Sequence, residues 1–146
     1  MPKAQILVLC TGNSARSQLA QGYLQHFAGD RADVYSAGVE PKGVNPLAVQ
    51  VMAEDGIDIS HHTSNHVDEY TSLPFDYVIT VCDNAREQCP FFPSRARRFH
   101  QSFTDPGHRP GLDALDSFRQ VRDEIKAYSA QFIQEHLSET PILSPS

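Results

Sequence analysis

Residues 4–27, AQILVLCTGNSARSQLAQGYLQHF, combine three patterns in one stretch of chain. Ala4–Cys10 is a short apolar run of the length that is typical of a buried strand. A small polar segment with a glycine follows it. Apolar residues then recur at the three- and four-residue spacing of a helix, at Leu19, Ala20, Tyr23, Leu24 and Phe27. The stretch therefore predicts a strand, a tight loop and a helix, with Cys10 where the strand ends and Arg16 where the helix begins.

The predicted loop has the composition of an anion-binding site. A loop that leads into a helix N-terminus directs several backbone N–H groups into one concavity, and the helix dipole adds positive potential there. A tetrahedral oxyanion fits such a concavity, and the Arg16 guanidinium can close over it with paired hydrogen bonds. Because the same potential stabilises a thiolate, we expect Cys10 to be a nucleophile with a lowered pKa. The expected substrate-binding residues are Thr11, Gly12, Asn13, Ser14, Ala15, Arg16 and Ser17.

Composition and charge limit the classes of function. The 146 residues suit one domain, which we place at residues 1–138, with a flexible tail at 139–146. No apolar stretch approaches the roughly 20 residues of a membrane span. The first residues show no signal peptide, so we expect a cytoplasmic protein. The net charge of −6 argues against a nucleic-acid partner. The three cysteines fit neither a secreted disulfide framework nor a C-x2-C zinc site.

Strand and helix patterns alternate along the rest of the chain. Further strands are predicted at 33–38, 77–82 and 96–101, and further helices at 45–56, 67–73 and 113–137. This alternation predicts an α/β fold, a single three-layer domain with a four-stranded parallel sheet and helices on both faces. In such folds the ligand lies beyond the carboxyl ends of the strands, where Cys10, Cys82 and the loop of Asp105 should converge. Neighbouring strands lie about 4.8 Å apart, so Cys10 and Cys82 are plausible bonding partners if their strands are adjacent.

The segment Cys10-Thr11-Gly12-Asn13-Ser14-x-Arg16-Ser17-Gln18 resembles the anion loop of the thioredoxin-coupled arsenate reductases. That family shares its fold with the low-molecular-weight protein tyrosine phosphatases. The likeness extends from about residue 3 to residue 130. It includes Tyr35–Gly38, Gly43–Pro46, Ile57–Ser60, Cys82 with Cys89-Pro90, Asp105-Pro106 and Phe118–Ile125. The three catalytic thiols of the family fall on Cys10, Cys82 and Cys89.

The resemblance implies that the protein reduces arsenate to arsenite, as a detoxification enzyme. Cys10 would attack arsenate held by the loop amides and Arg16, while Asp105 protonates the departing oxygen. Cys82 would then form a transient Cys10–Cys82 disulfide as arsenite leaves, and Cys89 would move this disulfide to Cys82–Cys89. Thioredoxin would be the external reductant, with no tightly bound cofactor. Phosphate and sulfate are expected competitors of arsenate, and we expect a monomer.

No metal site is predicted. Some relatives bind potassium through acidic groups that match positions 21 and 65, where this chain has Gln21 and Asn65. The side chains then expected to support the loop by hydrogen bonds are Asn13, Ser36 and Thr63. Adjacent His61 and His62 lack a partner motif, so we expect both histidines on the surface.

Two other functions stay open at this point. A tyrosine phosphatase would use the same nucleophile, arginine and acid but needs neither Cys82 nor Cys89. Phosphatases of this kind also tend to carry proline at position 18 and an aromatic residue at position 107, where this chain has Gln18 and Gly107. A thiol redox sensor would report oxidation to a partner protein, without turnover and without dependence on Asp105.

Overall fold

The computed structural model describes residues 3–82, 96–104, 106 and 113–137. Four strands form one parallel sheet in the order β2-β1-β3-β4. They are β1 (Ala4–Cys10), β2 (Ala32–Gly38), β3 (Tyr77–Thr80) and β4 (Arg97–His100). All four predicted strands are present, and β1 has the predicted bounds.

The helices are α1 (Arg16–Ala28), α2 (Pro46–Glu54) and α3 (Ala114–Leu137), with short 3₁₀ helices at Gly29–Arg31 and Val67–Glu69. α2 begins as predicted, because the Asn45 side chain accepts a hydrogen bond from the Leu47 amide (2.8 Å). The helix predicted over 67–73 is wrong in extent: only one 3₁₀ turn forms. Pro74 disfavours the helical conformation for the residue before it, and the segment is too short for a further turn.

β1 lies in the centre of the sheet and carries much of the core. The residues from Ile6 to Leu9 are fully buried, because β1 has a strand on each side and a layer on each face. In the sheet register Cys10 pairs with Gly38 of β2, and Leu9 pairs with Thr80 of β3. These strands therefore end at the same edge of the sheet, where the loop after β1 begins.

Both faces of the sheet are covered. Ser36 of β2 faces α1, where its hydroxyl donates to Gln21 Oε1 (2.6 Å). The neighbouring Tyr35 points to the opposite face and contacts the rings of Tyr70 and Phe75 beside the second 3₁₀ helix. α3 packs along α1, and α2 packs against both. The predicted fold class, a three-layer α/β domain with a parallel four-stranded sheet, is confirmed.

Polar contacts connect α2 to the helices beside it. The Tyr23 hydroxyl of α1 donates to Asp55 Oδ2 (2.7 Å), and Lys126 of α3 forms an ion pair with the same carboxylate (2.9 Å). The Tyr23 hydrogen bond and then the Lys126 contact lower the pKa of Asp55, whereas burial and then Asp55 raise the pKa of Tyr23. Arg122 donates to the Val51 carbonyl (3.1 Å). These contacts hold α2 against α1 and α3.

Some predictions fall on residues that the structure leaves undescribed. The tail at 139–146 and two expected site residues, Cys89 and Asp105, lie outside the described residues. Within the described part of the chain, no helix has both the length and the apolar content needed to cross a bilayer.

Candidate active site

The loop between β1 and α1 is held by the backbone of the segment that follows β2. The carbonyls of Thr11, Gly12 and Ser14 accept hydrogen bonds of 2.8 to 2.9 Å from amides in the segment 40–45. Because the C=O and N–H of a trans peptide point in opposite directions, the amides that follow Thr11 and Ser14 face the other side of the loop. That side is the concavity of the predicted anion site.

The loop encloses an open pocket of about 160 Å³ at the carboxyl edge of the sheet. α1 begins at this pocket, and its N-cap residue Ala15 offers no side-chain hydrogen bond to the amides of the first turn. These amides and the positive end of the helix dipole are therefore available to an anion. The pocket is lined by Cys10, Thr11, Gly12, Ser14, Ala15, Arg16 and Lys42. Its size and its donors suit a tetrahedral oxyanion.

Two of the expected substrate-binding residues, Asn13 and Ser17, have fully buried side chains. Asn13 Nδ2 donates to the hydroxyl oxygens of Ser17 (2.8 Å) and Ser36 (2.9 Å), and Asn13 Oδ1 accepts from the Asn65 amide (2.8 Å). Asn13 has a left-handed backbone conformation (φ 47°), which asparagine tolerates better than most residues. The Asn13 side chain therefore stabilises the turn and does not reach the pocket.

Gln18 supports the loop from the first turns of α1. Its buried Nε2 donates to the carbonyls of Asn13 (2.9 Å) and Thr63 (3.0 Å), so Gln18 Oε1 is left to accept from His62 Nδ1 (2.9 Å). Burial, followed by the charge of His61, lowers the pKa of His62 to about 4. The expectation that both histidines lie on the surface is therefore wrong for His62, because the turn after Ile59 places it against α1. His61 is exposed, as expected.

Cys10 and Cys82 are neighbours beneath the pocket. Both are free thiols, with 3% and 4% of their surface exposed. Cys82 follows β3, the strand adjacent to β1, and a hydrogen bond joins the two thiols. The Thr11 hydroxyl also lies 3.3 Å from Cys82 Sγ. The pairing of β1 with β3 thus brings a second thiol to the expected nucleophile.

The pKa of Cys10 is raised in this structure, so the expectation of a lowered value is wrong for the reduced protein. The hydrogen bond with Cys82 is the largest cause, and burial is the second. The hydroxyl and amide of Ser17 and the charge of Arg16 act in the opposite direction. Two adjacent thiols resist forming two thiolates. Ser17 and Arg16 are therefore the groups that favour the Cys10 thiolate once the hydrogen bond with Cys82 is broken.

Arg16 is oriented by the segment after β4. Arg16 Nη1 donates to the carbonyl of buried Phe103 (3.0 Å). Further along, the carbonyl of buried Pro106 accepts a hydrogen bond from the Ser117 hydroxyl of α3 (2.6 Å). The described residues on both sides of position 105 are thus attached to the framework of the site, while Asp105 itself is outside the described residues.

Lys42 is a pocket residue that the sequence analysis missed. Its amide donates to the Gly12 carbonyl (2.9 Å). Its Cδ and Cγ atoms would lie 3.6 and 3.7 Å from a Cβ placed on Gly12, so the aliphatic stem covers that glycine. The one available signal was its position directly before the Gly43–Pro46 segment that carries part of the resemblance.

The polar groups near α1 are engaged in hydrogen bonds with one another. Gln21 accepts from Ser36 and donates to the Val34 carbonyl (3.2 Å), and Asn65 Oδ1 accepts from the Thr63 hydroxyl (2.6 Å). Across the described ranges, no three His, Cys, Asp or Glu side chains converge as metal ligands.

Comparison with known proteins identifies the family. The model of the low molecular weight phosphotyrosine protein phosphatases matches residues 5–141. The arsenate reductase of Halalkalibacterium halodurans is 49% identical over 127 residues, which are 86% of this chain and 91% of that protein. Arsenate reductase 2 of Staphylococcus epidermidis is 44% identical over 132 residues, 90% of this chain and 98% of that protein. A solved arsenate reductase in its oxidized state superposes with a TM-score of 0.76 at 28% identity, over 90% of this chain and 97% of that one. The chain therefore belongs to the low molecular weight phosphotyrosine protein phosphatase family, in which its relatives at 44% and 49% identity are arsenate reductases.

Proposed function

We propose that this protein reduces arsenate to arsenite with its own thiols as the electron source. The observation that carries the proposal is the Cys10–Cys82 pair beneath the oxyanion pocket. A phosphatase needs one thiol at this place, whereas a reductase needs a second thiol within bonding reach of the first. The arsenate reductases among its relatives support the same assignment.

The first step uses the pocket and the nucleophile. The loop amides, the first turn of α1 and Arg16 hold the arsenate oxygens and balance their negative charge. The Cys10 thiolate attacks arsenic, and one oxygen leaves as water with a proton from Asp105. The product is an arsenic(V) adduct bonded to the Cys10 sulfur.

The second step is the reduction. The Cys82 thiolate attacks Cys10 Sγ, a sulfur–sulfur bond forms and the sulfur–arsenic bond breaks. The bonding electron pair stays on arsenic, which leaves as arsenite, while the two thiols are oxidised to one disulfide. The hydrogen bond between Thr11 and Cys82 favours an orientation of Cys82 toward the nucleophile. No cofactor is needed, because the two electrons come from the thiols.

The last steps regenerate the nucleophile. Cys89 attacks Cys82, which frees Cys10 and leaves a Cys82–Cys89 disulfide. Thioredoxin, a dithiol donor of a reducing compartment, then reduces this disulfide, and we place the protein in the cytoplasm, as a monomer. Phosphate and sulfate share the tetrahedral shape of arsenate and compete for the pocket.

The test compares the parent with Cys82→Ser in two assays. The first is arsenate-dependent NADPH oxidation with thioredoxin and thioredoxin reductase, and the second is hydrolysis of p-nitrophenyl phosphate. The substitution keeps Cys10, so arsenate turnover should disappear while any hydrolysis of the phosphate ester persists. Cys10→Ser is the control that should abolish both activities. Equal arsenate turnover in the parent and Cys82→Ser would contradict the proposal.

The family match keeps a tyrosine phosphatase as the second candidate. Phosphate ester hydrolysis by the parent without arsenate turnover would select it. Absence of both activities, with reversible thiol oxidation, would select a redox sensor instead.

A further inference from the structure

Two cationic side chains line the oxyanion pocket, Arg16 and Lys42. The Arg16 guanidinium already donates to a backbone carbonyl. The other two lysines of the chain are both in ion pairs with aspartates, Lys3 at 3.4 Å and Lys126 at 2.9 Å. Lys42 forms neither an ion pair nor a side-chain hydrogen bond with any residue in the described ranges. Its ammonium is therefore a positive charge at the pocket that is not neutralised by those residues.

The charge balance of the site calls for a second cation. The chain has a net charge of −6, so its overall field repels an anion. In the pocket, a doubly charged oxyanion would meet a Cys10 thiolate, which makes three negative charges. Arg16 supplies one positive charge, and the N-terminus of α1 supplies about half of one. These two leave about one and a half negative charges unbalanced, and the Lys42 ammonium would reduce that excess to about half a charge.

The backbone positions Lys42 independently of its side chain. The Lys42 amide is bonded to the Gly12 carbonyl (2.9 Å), the stem lies over Gly12, and Lys42 is an exposed residue that lines the pocket. Gly43 follows with a φ of 88°, a left-handed conformation that turns the chain sharply after Lys42. A substitution of the Lys42 side chain therefore leaves the contact between the two loops in place.

We propose that Lys42 is a substrate-binding residue that captures the oxyanion at the pocket mouth and stays beside it in the complex. The identity of the oxyanion as arsenate rests on the proposed function, whereas the binding role applies to inorganic phosphate as well. Lys42 sets affinity and not the rate of sulfur chemistry, because Lys42 is an exposed residue that lines the pocket, whereas the two thiols are buried.

The experiment compares two variants that each lose one positive charge, one at Lys42 and the other at Lys3. Lys42→Met keeps the aliphatic stem over Gly12, and Lys42→Arg keeps the charge. Lys3→Met is the matched control, since it makes the same change in net charge at the start of β1, away from the pocket. Inorganic phosphate is titrated calorimetrically into each reduced protein, and arsenate KM and kcat are measured with thioredoxin and thioredoxin reductase.

Lys42→Met should weaken phosphate binding about tenfold and raise the arsenate KM by a similar factor, as expected for the loss of one charge-assisted hydrogen bond. Its kcat should stay within threefold of the parent. Lys42→Arg and Lys3→Met should both bind phosphate within threefold of the parent. The inference is overturned if Lys42→Met binds phosphate as the parent does, or if Lys3→Met weakens binding equally. A parent without arsenate turnover would refute the proposed function, and the phosphate titration would still decide the role of Lys42.

Discussion

Gly38→Ala tests how closely the end of β2 controls the anion loop. A Cβ on Gly38 would lie 2.6 Å from the Thr11 carbonyl oxygen, 2.9 Å from the Asn13 amide nitrogen and 3.0 Å from Asn13 Cβ. None of these atoms is the end of a flexible side chain. Gly38 cannot easily retreat, because it pairs with Cys10 in the sheet and its amide donates to the Asn65 carbonyl (2.9 Å). The anion loop therefore has to move.

The size of this movement follows from the contact distances. A carbon atom approaches a carbonyl oxygen to about 3.3 Å, so the Thr11 carbonyl has to move by roughly 0.7 Å. Overpacking of this kind costs about 1–3 kcal/mol in the free energy of unfolding. Misplacement of a catalytic loop by nearly 1 Å costs about 100-fold in activity. We expect Gly38→Ala to lose about 100-fold in kcat/KM for arsenate.

Gly56→Ala separates the displacement of the loop from a general loss of stability. Gly56 has a φ of 78°, and a Cβ there would meet nothing within 4 Å. Alanine at this position should cost about 1–2 kcal/mol through backbone strain alone and leave kcat/KM unchanged. Urea unfolding gives the stability of each variant, and the thioredoxin-coupled assay gives its activity. Gly38→Ala with kcat/KM within threefold of the parent would refute the reasoning, as would an equal loss in Gly56→Ala.

Three further predictions concern the supports of the site. Gln18→Leu removes the amide donor of the Asn13 and Thr63 carbonyls and should lower the free energy of unfolding by about 2 kcal/mol and weaken phosphate binding, measured by urea unfolding and calorimetry; unchanged phosphate affinity would contradict it. Folded His62 has a pKa of about 4 against 6.5 in the unfolded chain, so stability should rise between these pH values, and His62→Asn should flatten that rise in urea unfolding. A parent curve that is already flat would contradict the predicted burial. Tyr23→Phe should lower the free energy of unfolding, measured with urea, by about 1 kcal/mol at pH 7, because the carboxylate of Asp55 loses a hydrogen-bond donor. The pKa of Asp55 is lowered from 3.8, so this difference should be complete above pH 4 and vanish as the pH falls through the lower folded value; a difference that persists in acid would contradict it.

The sheet and its main helices were predictable because their patterns are local. The apolar run Ala4–Cys10 and the helical spacing after Arg16 each depend on neighbouring residues, and both elements form as predicted. The segment after Val67 was predicted less well. Tyr70 of this segment packs against the ring of Tyr35, which is a tertiary contact that the local pattern does not show. Only one 3₁₀ turn forms there.

The positions of Cys10 and Arg16 at the pocket were predictable from the sequence, whereas the groups brought by distant segments were not. Lys42 reaches the pocket only because the backbone after β2 bonds to the loop carbonyls. His62 is half-buried because the turn after Ile59 places it against α1, where Gln18 accepts a hydrogen bond from its ring. The raised pKa of Cys10 depends on its hydrogen bond with Cys82. Strand order implies that the two thiols are close, but whether this contact raises or lowers the pKa depends on the positions of the side chains.

The most direct measurement of the central claim is a single turnover of Cys89→Ser with arsenate. This variant keeps Cys10 and Cys82 and loses the third thiol of the proposed relay. The reduced variant is mixed with excess arsenate, the arsenite is counted, and the disulfide is located by peptide mass mapping. We expect one arsenite per chain and a Cys10–Cys82 disulfide. Absence of arsenite, or arsenite formed while both thiols stay reduced, would contradict it.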